Sequence, residues 1–147
     1  MHASRPTLVD VTLVRGSCLC GGVRFELTKP FRRINHCHCS RCRKESGAFG
    51  LTNGRVPRDG LRLLAGEELI RVFRPEGGAV KAFCSVCGSS VFGGAWPEGD
   101  EVTVRLGALD DDPGQRPEYH SFVDSRAAWD ELPDDGLPRF PAAKPEA

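Results

Sequence analysis

The seven cysteines of this 147-residue chain are the residues whose type and spacing most clearly predict chemistry. They fall into three motifs: Cys18 and Cys20 in CLCGG, Cys37, Cys39 and Cys42 in CHCSRC, and Cys84 and Cys87 in CSVCGS. Thiolate sulfur is a preferred ligand of zinc, and side chains two or three residues apart can reach the same tetrahedral ion. The motifs therefore predict metal sites rather than scattered core thiols.

The odd number of cysteines argues against a complete disulfide framework, because one thiol would be left over. In a reducing compartment, clustered cysteines bind metal instead. The N-terminal residues MHASRPTLVDVTLVRG lack the pattern of a secretory signal, and no segment approaches the roughly 18 apolar residues of a membrane helix. We therefore expect a cytoplasmic protein with no membrane partner.

Seven thiolates fit two zinc sites of different kinds. Structural zinc takes four protein ligands, whereas catalytic zinc keeps three and leaves one position for water or substrate. We define a four-cysteine cluster, Cys18, Cys20, Cys84 and Cys87, and a three-cysteine cluster, Cys37, Cys39 and Cys42. The first would be a closed structural site that ties the start of the domain to its middle. The second would be a local site that is open to a substrate.

Two other uses of the same thiolates are open at this point. Cys39 and Cys42 could join Cys84 and Cys87 as a zinc ribbon, although the 41 residues between the pairs exceed the usual spacing of about 15–20. That pairing would also leave three cysteines without a role. An iron–sulfur cluster is the other possibility, but the spacings match neither common ferredoxin pattern.

The elements that must position these cysteines are mostly short strands. Five segments are β-branched or aromatic and are bounded by Gly, Pro or charged residues: Val11–Val14, Val23–Thr28, Leu69–Phe73, Val102–Leu106 and Tyr119–Val123. A short helix is expected over Ser40–Ser46, with Ser40 as its cap and Gly47 after its end, and another around Ser125–Trp129. The pattern predicts a mainly β fold in a single domain, with a core at about 11–140 and a frayed tail at 141–147.

The charges exclude one class of partner and favour another. Twenty basic and twenty acidic residues leave no net field for nucleic acid, and no basic stripe is interleaved with aromatic residues. Five basic residues surround the three-cysteine cluster: Arg32, Arg33, Arg41, Arg43 and Lys44. We expect this patch either to attract the carboxylates of an anionic thiol or simply to be solvated surface.

His36 and His38 flank Cys37 and could complete the second metal site or move a proton. Alternation argues against ligation by both, because side chains on either side of Cys37 in an extended segment point away from the face of Cys37. Whether His36, His38 or water is the fourth ligand stays open. His120 has no spacing that ties it to either cluster.

Three segments in this order, GSCLCGGVRFEL, CHCSRCRKESGAF and FCSVCGSSVF, resemble the glutathione-dependent formaldehyde-activating enzyme family, which includes centromere protein V. The resemblance runs from Gly16 to about Phe140. It implies a small zinc-binding domain of the β-tent type, with short strands in packed antiparallel sheets and two zinc ions per chain. It also implies a structural zinc at the four-cysteine cluster and an active-site zinc at the three-cysteine cluster.

The activity implied by the resemblance is that of a carbon–sulfur lyase. Glutathione, the expected thiol partner, would combine with formaldehyde to give S-hydroxymethylglutathione or be released from it. Cys37, Cys39 and Cys42 would be the catalytic residues, because a thiol that enters an open thiolate-zinc site loses its proton and becomes a nucleophile. The alternative is a zinc-stabilised binding module without enzymatic activity, in which both metals are structural.

Overall fold

The computed structural model describes residues 13–146 and divides them between two β-sheets and one short α-helix. In chain order, the strands are β1 (Val14–Ser17), β2 (Arg24–Leu27), β3 (Arg33–Cys37), β4 (Leu51–Pro57), β5 (Leu61–Ala65), β6 (Ile70–Phe73), β7 (Val80–Cys84), β8 (Ser90–Gly94), β9 (Glu101–Arg105) and β10 (Tyr119–Ser121). The helix α1 (Ser40–Ser46) connects β3 to β4. Single 3-10 turns lie at Arg58–Gly60, Glu67–Leu69, Leu106–Ala108 and Val123–Ser125.

The larger sheet has seven strands in the order β10-β3-β4-β9-β8-β7-β6, and the smaller has three in the order β1-β2-β5. The predicted mainly β fold with packed, largely antiparallel sheets is confirmed. The exception is the pair β10 and β3, which is parallel. A parallel neighbour needs a long crossover connection, and β10 reaches its place only after the chain has left β9 at Arg105.

The core lies where β2 of the smaller sheet meets β8 of the larger one. Phe25 on β2 and Phe92 on β8 are fully buried, and their rings meet edge to face with centroids 5.0 Å apart. Trp96, in the turn after β8, stacks on Phe92 at 5.3 Å. Aromatic burial of this kind, reinforced by edge-to-face geometry, is a main source of stability in a small domain.

Most expected elements are present, with shifts at their ends. The first expected strand begins at Val14, while Val11 lies outside the described residues. The segment around Leu69–Phe73 contains β6, which is an edge strand. The second expected helix is wrong: the chain forms a 3-10 turn at Val123–Ser125, which ends at the first residue of the predicted segment, and becomes extended at Arg126.

The N-cap of helix α1 lies one residue before the expected one. Cys39 is the N-cap residue, and its sulfur accepts a hydrogen bond from the backbone N–H of Cys42. Ser40 is instead the first helical residue. Gly47 ends the helix as expected, because its φ of 74° is left-handed and its N–H donates to the carbonyl of Arg43. The helix therefore starts and is capped within the CHCSRC motif.

The segment 138–142 runs beside β10 and the turn that follows it, in the parallel direction. The N–H groups of Phe122 and Val123 donate to the carbonyls of Ala142 and Phe140. That 141–147 frays in solution stays a prediction. Within residues 13–146, no helix is long and apolar enough to cross a membrane.

The contact between the sheets can be tested with Phe92→Ala. We expect the free energy of unfolding to fall by about 3–5 kcal/mol, because the change removes a fully buried ring and leaves a cavity. Phe73→Ala is the matched control, since Phe73 is 60% exposed, and it should change stability by less than about 0.5 kcal/mol. Urea unfolding followed by circular dichroism measures both. Equal losses would contradict the placement of the core.

Candidate metal centres and active-site cavity

The four-cysteine cluster joins two loops at one end of the molecule. Cys18 and Cys20 follow β1, Cys84 is the last residue of β7, and Cys87 lies in the turn to β8. Their four sulfurs lie within 4.8 Å of one another. Each loop turns at a glycine with positive φ, and the N–H groups of Gly21 and Gly88 donate to the carbonyls of Cys18 and Cys84. These turns fold the chain back so that paired sulfurs face one point.

The sulfur spacing in this cluster fits tetrahedral zinc. Zinc–sulfur bonds of about 2.3 Å place sulfurs about 3.8 Å apart. The observed separations are 3.6 Å between Cys18 and Cys20 and 3.8 Å between Cys20 and Cys84, far longer than the roughly 2.05 Å of a disulfide. Hydrogen bonds from the hydroxyl and backbone N–H of Ser89 lower the pKa of Cys87 to about 5. The cluster is therefore suited to hold a cation.

The three-cysteine cluster forms where β3 passes into α1. Cys37 ends β3, Cys39 caps the helix and Cys42 lies in its first turn, with all three sulfurs within 4.8 Å of one another. Hydrogen bonds from the thiols of Cys37 and Cys42 lower the pKa of Cys39 to about 2. In return, the pKa values of Cys37 and Cys42 are raised. Three sulfurs so close together suit a shared cation.

The three-cysteine cluster, unlike the other, opens into a cavity of about 780 Å³. All three of its cysteines line this cavity, and none of the four-cysteine cluster does. The walls come from β3, β4 and β9, from the loop at Gly77–Val80 and from the last described residues near Lys144. The two clusters therefore differ in access as well as in ligand number. The zinc ribbon pairing is not what the described residues form, since Cys84 and Cys87 lie with Cys18 and Cys20.

The basic residues of the cavity are mostly not those of the expected patch. Five basic side chains line it: Arg33, Arg41, Arg55, Arg105 and Lys144. Of the predicted patch, only Arg33 and Arg41 are among them. Arg32 instead pairs with Glu101 at 3.1 Å, with its own side chain 57% exposed. Arg32 directly precedes β3, and neighbouring side chains along an extended chain point to opposite faces, so Arg33 lines the cavity and Arg32 does not.

A buried ion pair fixes α1 against the larger sheet. Arg105 on β9 donates to Glu45 on the helix at 2.7 Å and to Asn53 on β4 at 2.8 Å. Ser90 on β8 donates to the same carboxylate oxygen of Glu45 at 2.6 Å. Both charged side chains are at most 14% exposed. The helix that carries Cys42 is therefore held in place by three strands.

Comparison with known proteins agrees with this arrangement of cysteines. The family model described as "Glutathione-dependent formaldehyde-activating enzyme" matches residues 13–125, which contain both clusters. The chain belongs to the glutathione-dependent formaldehyde-activating enzyme family. The match covers the two sheets up to the turn after β10 and confirms the resemblance noted in the sequence.

Two curated relatives are identical to this family member at about a third of the aligned residues. A Halomonas elongata protein is 32% identical over 129 residues, which cover 82% of this chain and 81% of the relative. A Penicillium rubens protein is 32% identical over 141 residues, or 85% and 73% of the two chains. Both are named "Putative glutathione-dependent formaldehyde-activating enzyme". A crystal structure of a Rhodobacter sphaeroides protein has a TM-score of 0.53 at 26% identity and covers 70% of this chain and 97% of its own.

The histidines of this formaldehyde-activating enzyme homologue lie behind the cysteines. His36, His38 and His120 border a separate cavity of about 280 Å³. The rings of His36 and His120 stack at 4.9 Å, and His38 Nε2 is 2.9 Å from His120 Nδ1. His120 Nε2 donates to Asp135 at 2.8 Å, so a neutral His120 accepts from His38. No histidine lines the three-cysteine cavity within the described residues.

Several cavity residues were not identified from the sequence of this family member. Arg55, Arg105 and Lys144 lie far from the cysteines in sequence, and no local pattern marks them. Asn35 and Ser121, two buried polar residues of the cavity wall, were also missed. For Asn35 a signal existed, because a residue two positions before Cys37 on a strand shares its face.

Glu45→Ala tests whether the buried ion pair holds the helix. Leaving Arg105 buried without its carboxylate should lower the free energy of unfolding by about 3 kcal/mol. Thermal or urea unfolding measures the change, and Glu68→Ala, at an exposed position, is the control that should stay within about 0.5 kcal/mol. A Glu45→Ala protein as stable as the control would show that the pair does not anchor α1.

Proposed function

We propose that this protein is a zinc-dependent carbon–sulfur lyase that acts on an adduct of a small thiol and an aldehyde, of the S-hydroxymethylglutathione type. The observation that carries the proposal is the difference in access: three convergent sulfurs open into a basic-lined cavity, while four others are closed off from it. The names of the curated relatives support glutathione and formaldehyde as the reactants. A cytoplasmic setting, where thiols stay reduced, would suit both clusters.

Each cluster fits a zinc ion by its donor set and sulfur spacing. Cys18, Cys20, Cys84 and Cys87 would hold one ion as a structural site, and Cys37, Cys39 and Cys42 would hold the other. When bound at three thiolates, zinc supplies a Lewis-acid position at which a thiol gives up its proton near neutral pH. Among the described residues, no histidine, aspartate or glutamate joins the three sulfurs as a fourth ligand.

The chain's own residues would bind and orient the thiol. Arg33 and Arg55 face the cavity, and their only carboxylate partners within 4 Å among residues 13–146 are distant or exposed ones, Glu146 at 3.7 Å and Glu101 at 4.0 Å. Guanidinium groups so weakly engaged can recognise the carboxylates of glutathione. Arg105 is fully engaged with Glu45 and would shape the wall.

The reaction balances as an addition. The thiol sulfur, after losing its proton, attacks the carbon of formaldehyde and forms a carbon–sulfur bond. The π electrons of the carbonyl move to oxygen, which takes up a proton from solvent in place of the one that the thiol released to solvent, so that thiol and aldehyde give the S-hydroxymethyl hemithioacetal. The lyase direction is the reverse. Arg33 and Arg55 would bind the thiol so that its sulfur stays near the three cysteines during the reaction.

The first test of the proposed function is the zinc content, which should be close to two ions per chain, because the cysteines form two separate clusters. Elemental analysis of the purified protein measures it. Replacing Cys37, Cys39 and Cys42 together by serine should remove one ion and keep the other. A single ion that survives this triple replacement would contradict the second site.

The two clusters should differ in their effect on stability. Cys84→Ser should lower the melting temperature strongly, because the four-cysteine cluster joins loops 64 residues apart and metal-binding energy is folding energy. Cys39→Ser should have a smaller effect, since its cluster is local to the end of β3 and the start of α1. Thermal melts with and without chelator rank the two variants. The reverse ranking would exchange the structural and active sites.

Thiol binding is the third test of the proposed function. In protein loaded with cobalt(II), thiolate-to-metal absorption should change when millimolar glutathione is added, and Cys39→Ser should abolish the change. Arg33→Gln should weaken glutathione more than the neutral thiol 2-mercaptoethanol at low salt, because an exposed charge contact is screened by salt. Arg32→Gln is the matched control, since Arg32 does not line the cavity. An unaltered spectrum across a panel of thiols would favour the non-enzymatic binding module.

A further inference from the structure

Asn35 and Ser121 form a buried polar pair beside the three-cysteine cluster. Their side chains hydrogen bond at 2.9 Å, and the residues are 6% and 4% exposed. Ser121 on β10 lies opposite Cys37 on β3 in the parallel register, and Asn35 precedes Cys37 by two positions on the same strand. Both line the cavity into which the cysteines open. Neighbouring strands are about 4.8 Å apart, so Ser121 is one strand spacing from Cys37, while Asn35 lies two residues along the same strand.

The pair has more hydrogen-bond donors than it uses. The amide of Asn35 carries two polar hydrogens and the hydroxyl of Ser121 carries one. One of these three lies in the bond between them, and the other two make no hydrogen bond to another protein group within residues 13–146. Turning the amide over exchanges its N and O but leaves the count unchanged. Two donors therefore remain for a group in the cavity.

We propose that Asn35 and Ser121 are catalytic residues that donate hydrogen bonds to the aldehyde-derived oxygen of the thiol adduct. The inference rests on the proposed function. As the thiol sulfur bonds to the carbonyl carbon, the π electron pair moves to oxygen, and the two donors stabilise the negative charge that develops there. The oxygen then takes its proton from water, which balances the proton that the thiol lost. In the lyase direction the same donors stabilise the oxygen before the carbon–sulfur bond breaks.

The other polar groups of the wall are less suited to this role. Arg105 uses its guanidinium on Glu45, Asn53 and Ser90. Arg41 donates to the backbone carbonyl of Glu76. The Asn35–Ser121 pair is neutral, buried and fixed between two strands, so its donors need no rearrangement during the reaction. Fixed donors of this kind stabilise a developing oxyanion more than mobile solvent does.

Ser121→Ala and Asn35→Ala test the inference in zinc-loaded protein. Each should lower kcat for adduct formation, followed by exchange NMR with labelled formaldehyde and glutathione, by about 10²-fold. The glutathione concentration that half-saturates the cobalt absorption change should stay within about twofold, because the pair acts on the oxygen and not on the sulfur. Ser121→Thr keeps a hydroxyl and should retain most of the activity. Thr28→Ala removes a hydroxyl at an exposed position that does not line the cavity, and is the matched control.

Two results would overturn the donor assignment while leaving the proposed function in place. One is wild-type kcat in both alanine variants of a protein that otherwise catalyses the reaction. The other is a loss of activity in Ser121→Thr as large as in Ser121→Ala, or a parallel loss of glutathione binding, since either would indicate a structural role. If wild-type protein neither responds to thiols nor forms the adduct, the proposed function fails and this inference fails with it.

Discussion

The grouping of the cysteine sulfurs into two clusters, each of which could hold a metal ion, is the constraint on which the rest of the structure depends. Cys20 and Cys84 are 64 residues apart in sequence, yet their sulfurs lie 3.8 Å apart. A zinc ion bound by these four sulfurs would join the loops after β1 and β7, and its binding energy would then contribute to folding. The loop after β1 belongs to the smaller sheet and the loop after β7 to the larger one. Closing the four-cysteine cluster thus fixes the contact of the two sheets at which Phe25 meets Phe92.

The three-cysteine cluster offers the same kind of ligand but one sulfur fewer, and a different part of the fold holds it in place. Its cysteines span six residues, so they add little to the closing of the fold. Their positions depend instead on α1, which Cys39 caps and which Glu45 ties to Arg105. The cavity then places basic side chains and the neutral Asn35–Ser121 pair around the open side of the sulfurs. The proposed separation of structural and reactive roles rests on the three-cysteine cluster lining the cavity and the four-cysteine cluster lying outside it.

Local patterns in the sequence predict the mainly β fold and the grouping of cysteine motifs. Alternation along Arg33–Cys37 also predicts that His36 points away from Cys37, and His36 borders the rear cavity. The sequence does not predict the parallel pairing of β10 with β3, which depends on a long connection and brings Ser121 beside Cys37. The sequence also could not assign Arg55, Arg105 and Lys144 to the cavity, because contacts between distant parts of the chain bring them there. The cap of α1 was predicted one residue late because a cysteine sulfur replaces the usual serine oxygen.

The central claim is that seven thiolates are divided into a closed set of four and an open set of three. Extended X-ray absorption at the zinc edge measures the mean number of sulfur ligands per zinc directly. The account predicts about 3.5 sulfurs and about 0.5 lighter atoms per zinc in protein with two ions, rising to about four sulfurs when glutathione is added. A mean of four sulfurs without any thiol, or a value that glutathione leaves unchanged, would contradict it.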